Sequence, residues 1–531
     1  MHDLINDLAR FVSGEICFRL EDDNSIEISE KTRHFSYVMA LGDLFKRSDI
    51  LRKAKRLRTF LPLYLPDEFY CLSNKVRREL LINLRCLRVL SLSNYHSICE
   101  VPDSISELIH LRYLDLSRTL IKRLSESVST LYNLQTLKLA YCYRLRQLPH
   151  GMHNLINLRH LDMIGTCVEE MPAQMSKLEN LQTLSTFIVG KENGVKIGEL
   201  GKLPNLRGTL SIKKLKNVVN AKDAFEARLK DKKYLEDLSL EWGYGITEDT
   251  KGVRCVLEKL APHSNLKKLQ VLNYGGTRFP DWLGDNSFCN MVSVSLQNCE
   301  HCCILPPLGQ LPALKHLSIE GFDEVVTVGP EFYGNSSQPF PTLKTLRFSW
   351  MPAWEEWCSL GVEDECRRAF PHLQELHIES CQSLIAGLPK HLPSLRKLVI
   401  EYCEQLVSPL PRASAIRELE LIKCDMVVLF ELPHTLHSLK IKGSQVVVES
   451  LLEAMSIQIQ ACPRRLDISD CPSLVSFPGS CLPTTLSFLS IKNCENLQFP
   501  LQQHHSSLEH LLIVDSCDSL RSVPLDFFPK S

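Results

Sequence analysis

A cluster of cysteine and histidine residues near the middle of the chain is the first candidate for metal chemistry. Cys299, His301, Cys302 and Cys303 lie close together and include a C-x-x-C pair. A structural zinc site needs four ligands, which usually come as two separated pairs, and the sequence offers no second pair nearby. We therefore interpret these cysteines as structural and predict no metal site.

Other combinations that could support catalysis are equally incomplete. His504 and His505 form an adjacent pair before the last repeat, but a metal would need further convergent ligands. The sequence has no G-x-x-x-x-G-K-[ST] loop, since the stretch from Gly198 to Leu203 has the wrong spacing and lacks the hydroxyl. No serine, cysteine or carboxylate set recurs together with a histidine in an arrangement that would suggest a catalytic site. We predict that the chain is not an enzyme and binds no cofactor by itself.

Leucine is the residue that recurs with a clear period. The pattern Leu84-x-x-Leu87-x-x-Leu90-x-Leu92 returns with its third leucine at 114, 137, 161 and, more weakly, 184, in steps of 23 or 24 residues. This spacing is typical of leucine-rich repeats. Each L-x-L predicts a short strand whose leucines point inward while the residues between them face outward. Because one repeat cannot bury its apolar edge alone, neighbouring repeats must stack. We predict an α/β leucine-rich-repeat solenoid, a curved horseshoe with parallel strands on the concave face and a short helical N-terminal remnant.

The cysteines follow the same period. Many of the 21 cysteines stand three residues after the last apolar residue of a predicted strand: Cys142, Cys299, Cys381, Cys403, Cys424, Cys471, Cys494 and Cys517. In this repeat class the position holds a small buried side chain, Asn or Cys, that hydrogen-bonds the backbone. We predict reduced, structural thiols, as is usual in the cytosol.

Composition and charge narrow the range of partners. The formal net charge is −1, from 61 basic and 62 acidic residues, so neither nucleic acid nor an anionic membrane is expected as the main partner. No apolar run reaches the roughly 18 residues of a membrane span. The first residues, Met1 to Leu8, include acidic side chains where a signal peptide needs basic ones. We predict a cytoplasmic, intracellular protein.

The repeat pattern divides the chain into five predicted stretches. They are residues 1–35, which precede the repeats; 36–80, a linker and N-terminal cap; 81–190, regular repeats; 191–290, long irregular repeats; and 291–531, C-terminal repeats. Apolar periodicity predicts helices at residues 1–14, 41–60, 221–229 and 253–260, and a strand at residues 31–38.

Outward positions of the middle strands are the candidate partner-binding residues. They are Glu375, His377, Glu379, Glu401, Glu418 and Glu420, followed by Lys440, Lys442 and Lys492. These charges are either ordinary surface charge or a graded face that steers a partner. Trp350, Trp354 and Trp357 cluster nearby and allow two interpretations as well. They either pin a loop onto the repeats by burial or form an interaction rim.

The opening residues resemble a known motif. Met1-His2-Asp3, followed by Leu4-x-x-Asp7-Leu8, resembles the MHD motif of plant nucleotide-binding leucine-rich-repeat immune receptors. Residues 111–119 look like the early repeats of these receptors. Residues 197–210, 275–283 and 351–357 look like the middle block of their coiled-coil class. The resemblance covers nearly the whole chain and implies that residues 1–35 are a remnant of a winged-helix region with the MHD motif.

This resemblance implies a role in plant innate immunity. A member of the family would recognise a pathogen effector or an effector-modified host protein and hold a nucleotide-binding module inactive until then. His2 and Asp3 would lie near ADP or ATP only in a full-length receptor that has this module. Since the P-loop is absent, we interpret the chain as a receptor fragment or a truncated gene model. The alternatives are a generic signalling scaffold, or a nucleotide hydrolase that would require an upstream P-loop.

Overall fold

The computed structural model describes most of the repeats. The described residues are 8, 11–20, 28–38, 54–63, 83–243, 250–358, 369–407, 409–429, 432–457, 463–472, 485–496 and 508–514. His2, Asp3, His504, His505 and Cys517 lie outside them. The chain divides into two compact units: residues 1–243 with 259–263, and residues 244–258 with 264–531.

The first unit is built on short parallel strands. They are β1 (Cys17–Leu20), β2 (His34–Val38), β3 (Thr59–Leu63), β4 (Val89–Ser91), β5 (Tyr113–Asp115), β6 (Thr136–Lys138), β7 (His160–Asp162), β8 (Thr183–Leu184), β9 (Thr186–Ile188), β10 (Arg207–Lys213) and β11 (Tyr234–Glu241). Strands β1 to β8 pair in sequence order within one sheet. Leu90 lies opposite Leu114, Leu114 opposite Leu137, and Leu137 opposite Leu161. The predicted leucine period is therefore confirmed as strand register.

Tight 3-10 turns connect many of these strands. They span Gly14–Ile16, Asp103–Glu107, Glu126–Thr130, His150–Asn154, Met175–Lys177, Ile197–Lys202, Leu215–Asn217 and Leu229–Asp231. Pro102 precedes one of them with extended backbone, Pro149 precedes another, and Ile105 and Met152 within these turns are buried. A repeat of 23 or 24 residues leaves little chain for the return path, and 3-10 turns suit such short pieces.

The parallel strands begin earlier than the leucine pattern predicts. Phe35 and Phe60 occupy the buried position of the later leucines, and Phe60 lies opposite Leu90. Their rings stack at 5.6 Å between centroids. The predicted strand at residues 31–38 is confirmed as His34–Val38. The predicted helix at residues 41–60 is wrong at its described end, because Thr59 and Phe60 belong to β3. Phenylalanine in the leucine position hid these repeats.

The second unit continues with parallel strands of its own. They are β12 (Lys268–Leu272), β13 (Ser293–Gln297), β14 (His316–Glu320), β15 (Thr327–Val328), β16 (Thr345–Ser349), β17 (Glu356–Trp357), β18 (Glu375–Glu379), β19 (Lys397–Glu401), β20 (Glu418–Ile422), β21 (Ser438–Lys442), β22 (Arg465–Ser469), β23 (Phe488–Lys492) and β24 (His510–Val514). β15 pairs with β17, and the remaining strands form one ladder in sequence order.

The α-helices with described bounds are Ala221–Glu226, Thr250–Lys259, Pro330–Tyr333 and Gln445–Ile457, with a 3-10 turn at Leu308–Gln310, and residues 8 and 11–13 are also helical. The first two confirm the predicted helices at residues 221–229 and 253–260, with shifted ends. Helix Gln445–Ile457 was not predicted, because its three consecutive valines, Val446 to Val448, favour a strand. No helix in the described ranges is long and apolar enough to cross a membrane.

The core is formed by alternating side chains and by the cysteine positions. In β18 the buried Leu376 and Ile378 alternate with outward Glu375, His377 and Glu379. The described cysteines of the repeating position are buried, as predicted: Cys142, Cys299, Cys381, Cys403, Cys424, Cys471 and Cys494. The Cys142 thiol donates to the Leu116 carbonyl at 3.1 Å, and the Cys424 thiol donates to the Ile400 carbonyl at 3.3 Å. These thiols bond backbone where each strand turns away.

Candidate protein-binding face

Four adjacent strands, β18 to β21, bring most of the predicted charged residues together, whereas Lys492 lies on β23. We define the strand face as the residues of β16 and β18 to β21 that alternate with the inward apolar positions; Ser349, Val399 and Ile422 among them are buried. Its first row runs Thr345, Glu375, Lys397, Glu418, Ser438; its second Arg347, His377, Val399, Glu420, Lys440; its third Ser349, Glu379, Glu401, Ile422, Lys442. Because parallel strands lie about 4.8 Å apart, neighbours within a row are in contact range.

Basic residues pair with most of the acidic ones. The Lys397 ammonium lies 2.8 Å from one Glu420 oxygen and 3.4 Å from Glu418, and Lys440 lies 3.2 Å from the second Glu420 oxygen. Arg347 forms an ion pair with Glu379. The strand face is therefore a network of alternating charge and not a uniformly acidic field. Sequence reasoning overlooked Lys397 and Arg347, although each stands directly beside a strand leucine at an outward position.

Glu401 differs from its neighbours. Burial raises the pKa of Glu401, and the nearby carboxylates of Glu379 and Glu420 raise it further, against the lowering effect of Lys440 and Arg347. Within the described ranges no side chain forms an ion pair with Glu401. Glu420 shows the opposite balance. Burial would raise its pKa, but hydrogen bonds from Lys397 and Lys440 outweigh burial, so that the pKa of Glu420 lies below its usual range.

His377 is a half-buried member of the middle row. Its Nε2 atom lies 3.7 Å from a Glu375 oxygen. Burial lowers the pKa of His377 and outweighs the raising effect of Glu375. The imidazole is therefore neutral at neutral pH, and it offers a partner a hydrogen-bonding group without adding a positive charge to the face.

The three clustered tryptophans separate into two environments. Trp354 and Trp357 are fully buried, whereas Trp350 is 59% exposed. The Trp357 indole N–H donates to the Tyr333 hydroxyl at 2.9 Å, and the Trp354 indole N–H donates to the Glu356 carbonyl at 2.9 Å. Their burial agrees with the interpretation that this loop is pinned onto the repeats. Trp350 is the member of the three that is positioned to contact a partner.

A feature that sequence reasoning missed lies at the end of the strands. We define the left-handed ridge as the residues with positive φ that directly follow the strands of the second unit: Asn273, Asn298, Gly321, Trp350, Ser380, Tyr402, Lys423, Gly443, Asp470 and Asn493. Ridge N–H groups donate to the last carbonyl of the next strand, as in Trp350 to Glu379 at 3.0 Å and Ser380 to Glu401 at 2.8 Å. Asparagine directly before a repeating cysteine, as in Asn298-Cys299 and Asn493-Cys494, was the available signal.

The cysteine cluster of the middle repeats bonds to backbone. The Cys302 thiol is buried and donates to the Gly276 carbonyl at 2.9 Å. The Cys299 thiol donates to the Gln297 carbonyl at 3.5 Å. In the part of the chain that the structure describes, no group of three or more His, Cys, Asp or Glu side chains is arranged to hold a metal ion.

Parallel strands, inward leucines and buried thiols at a fixed offset together define a leucine-rich-repeat protein with an α/β solenoid fold. Residues 197–322 match the family described as R13L1/DRL21 LRRs. A leucine-rich-repeat protein of Leptospira interrogans covers 74% of this chain and 93% of its own, with a TM-score of 0.47 and 17% identity.

The sequence relatives of the chain are plant disease resistance proteins. Disease resistance RPP13-like protein 1 of Arabidopsis thaliana is 42% identical over 528 residues, covering 95% of this chain and 50% of that protein. Disease resistance protein RGA1 of Solanum bulbocastanum is 36% identical over 394 residues, covering 72% of this chain and 35% of that protein. The chain is a homologue of plant disease resistance proteins and spans half their length or less.

Proposed function

We propose that the strand face recognises a protein partner in plant defence, either a pathogen effector or a host protein that an effector has modified. The observation that supports this proposal is the charged cluster on β18, β19 and β20, whose side chains project outward from a ladder held together by buried leucines. Outward positions of this kind can change with little effect on folding. A recognition surface placed there could diversify without unfolding the repeats.

The alternating charges define what kind of partner would fit. Two ion pairs that share Glu420 connect Lys397, Glu420 and Lys440 across three strands. A partner that covers these ion pairs removes their charges from water, which is unfavourable unless the partner supplies matching groups. The face would therefore select a partner with complementary charges and would contribute more to specificity and association rate than to affinity.

We further propose that, in a longer receptor, this chain restrains a nucleotide-binding module in the cytoplasm. Support comes from the resemblance of Met1-His2-Asp3 to the MHD motif and from the disease resistance homologues. His2 and Asp3 would lie near ADP or ATP there. The chain itself is proposed to bind no nucleotide and to catalyse no reaction, because its sequence lacks the phosphate-binding loop.

A charge-reversal series tests the recognition proposal. Glu375→Lys and Glu401→Lys change the strand face, while Glu258→Lys makes the same change at an exposed position on helix Thr250–Lys259. Association with an effector or host protein is measured by surface plasmon resonance at two salt concentrations. We expect the strand-face variants to alter the association rate about tenfold at low salt and less at high salt. Equal rates for all three variants would place recognition elsewhere.

A further inference from the structure

The left-handed ridge changes composition at one place in the second unit. Asparagine, aspartate and glycine accept positive φ with the least strain. Four consecutive ridge residues depart from this preference: Trp350 (φ 55°), Ser380 (φ 55°), Tyr402 (φ 54°) and Lys423 (φ 51°). Gly321 and Gly443 flank them. Three of the four, Trp350, Tyr402 and Lys423, are large side chains kept in a strained conformation, which points to a use for those side chains beyond folding.

Two of the four are exposed aromatic residues that follow the third row of the strand face. Trp350 is 59% exposed and Tyr402 is 38% exposed. The Trp350 N–H donates to the Glu379 carbonyl at 3.0 Å, and the Tyr402 N–H donates to the Ile422 carbonyl at 2.8 Å. Only the small Ser380 stands between them on the ridge. Two strand spacings, roughly 10 Å, therefore separate the two aromatic residues and leave room for one inserted side chain.

One of these rings already contacts a cation. The Lys423 ammonium lies 5.2 Å from the centroid of the Tyr402 ring, within the range of a cation–π interaction. The first unit has the same arrangement after its own strands, where the Arg118 guanidinium lies 5.2 Å from the Tyr141 centroid. Neighbouring positions at the strand ends are thus spaced so that a positive group reaches the adjacent aromatic ring.

Charge next to the aromatic pair is also unbalanced. Glu379 and Glu401 lie opposite each other in the third row. Arg347 pairs with Glu379, whereas Glu401 has no ion pair within the described part of the face. Two neighbouring carboxylates and partial burial make the charge of Glu401 unfavourable. An incoming cation would compensate that charge.

We propose that Trp350, Tyr402 and Glu401 form a receptor site for an arginine side chain of the protein partner, inserted over Ser380. Arginine fits better than lysine, because its planar guanidinium stacks on aromatic rings while its N–H groups bond a carboxylate. This inference rests on the proposed function and adds the chemistry of one contact. Trp350 and Tyr402 supply the apolar walls, and Glu401 supplies the counter-charge.

A defined peptide tests the site without a known partner. A fluorescein-labelled peptide with three arginines separated by glycines is titrated with the full chain, and binding is followed by fluorescence anisotropy at low salt. The comparison peptide carries citrulline, which has nearly the same shape without the charge. We expect the arginine peptide to bind about tenfold or more tightly than the citrulline peptide. Equal binding, or no binding of the arginine peptide at millimolar concentration, would overturn the proposal.

Variants then locate the binding. Trp350→Ala, Tyr402→Ala and Glu401→Gln should each weaken arginine-peptide binding about three- to tenfold, while Trp350→Phe should retain most of it. Tyr234→Ala is the matched control, since Tyr234 is 59% exposed and also lies beneath a lysine, Lys233. Equal losses in Tyr234→Ala and Trp350→Ala would show non-specific binding and contradict the proposal. Thermal melting confirms that each variant is folded.

The two proposals fail in different ways. If the citrulline peptide binds as well as the arginine peptide, but Glu375→Lys and Glu401→Lys still alter association with a protein partner, the arginine site is wrong and the recognition face stands. If neither charge reversal affects the protein partner, the proposed function itself is contradicted.

Discussion

Lys397 on β19 lies 2.8 Å from Glu420 on β20, and this ion pair distinguishes Glu420 from the neighbouring carboxylate of Glu401. Hydrogen bonds from Lys397 and Lys440 outweigh burial and hold the pKa of Glu420 below its usual range. Burial raises the pKa of Glu401 on β19, and neighbouring acids raise it further. One carboxylate is thus stabilised in its charged form and the other is not.

Neutralising these two carboxylates should have different effects on folding. We expect Glu420→Gln to lower the free energy of unfolding by at most about 1 kcal/mol at pH 7, since the pair is partly exposed. Glu401→Gln should cause no loss. Because the folded-state pKa of Glu420 is depressed, its contribution is present above the unfolded pKa and disappears as the pH falls through the folded pKa. Urea unfolding across this range measures both effects, and identical behaviour of the two variants would contradict them.

Buried Lys232 should make the first unit more stable as the pH becomes alkaline. Lys232 is 2% exposed, and its ammonium donates to the Leu200 and Leu203 carbonyls, both at 2.8 Å. Burial lowers the pKa of Lys232 from 10.5 to about 8. A neutral amine still has two N–H groups for the two carbonyls. Since the folded state releases its proton first, stability should rise with pH between about 8 and 10.5.

The comparison variant for this prediction is Lys232→Met. Thermal melts of the native chain and the variant are compared at about pH 7.5 and about pH 10, near the two ends of this pH range. The comparison separates the titration of Lys232 from that of other groups. We expect the melting temperature of the native chain, measured relative to that of the variant, to be higher at the alkaline pH than at the neutral pH. A difference between the two proteins that does not change with pH would show that Lys232 does not titrate in this range.

The tryptophans of the second unit should differ sharply in their effect on stability. Trp357→Ala should lower the free energy of unfolding by about 3–5 kcal/mol, because it opens a cavity and removes the hydrogen bond from the Trp357 indole to the Tyr333 hydroxyl. Trp350→Ala should change it by no more than about 0.5 kcal/mol, because the side chain is exposed. Denaturation followed by circular dichroism compares the two variants. Similar losses would contradict the assignment of Trp350 to the surface.

The repeating cysteines should be protected free thiols. Burial raises the pKa of Cys424 to about 12, so little thiolate forms at neutral pH. Iodoacetamide labelling of the native chain, read by mass spectrometry, should modify the exposed Cys289 quickly. Cys381, Cys403 and Cys424 should react only after denaturation. An abundant disulfide among these three, or labelling as fast as that of Cys289, would disprove the prediction.

Strand positions could be predicted where leucine marks every repeat. Leu90, Leu114, Leu137 and Leu161 all lie where the period places them. The earlier strands could not be identified in this way, because a phenylalanine such as Phe60 satisfies the same need for a buried apolar side chain. Local residue preference also failed at helix Gln445–Ile457, where packing outweighs the strand preference of its valines.

The candidate site was only partly predictable. Alternation showed that Glu375, Glu401 and Glu420 face outward, but not which charges meet across strands. Those contacts depend on the register between repeats of unequal length, which sets Lys397 opposite Glu418 and beside Glu420. The exposed aromatic pair, Trp350 and Tyr402, could not be predicted, because its placement depends on backbone dihedral angles. For these angles the sequence offers only the asparagine and glycine residues at equivalent ridge positions.

Site-specific photo-cross-linking tests most directly whether the strand face is the recognition surface. A benzophenone amino acid replaces Glu375 or Glu401 on the face, and Glu258 on helix Thr250–Lys259 serves as the control position. Each protein is irradiated with a purified effector or host partner that binds the unmodified chain. We predict cross-links from positions 375 and 401 and none from 258. Cross-links from 258 alone would contradict recognition by the strand face.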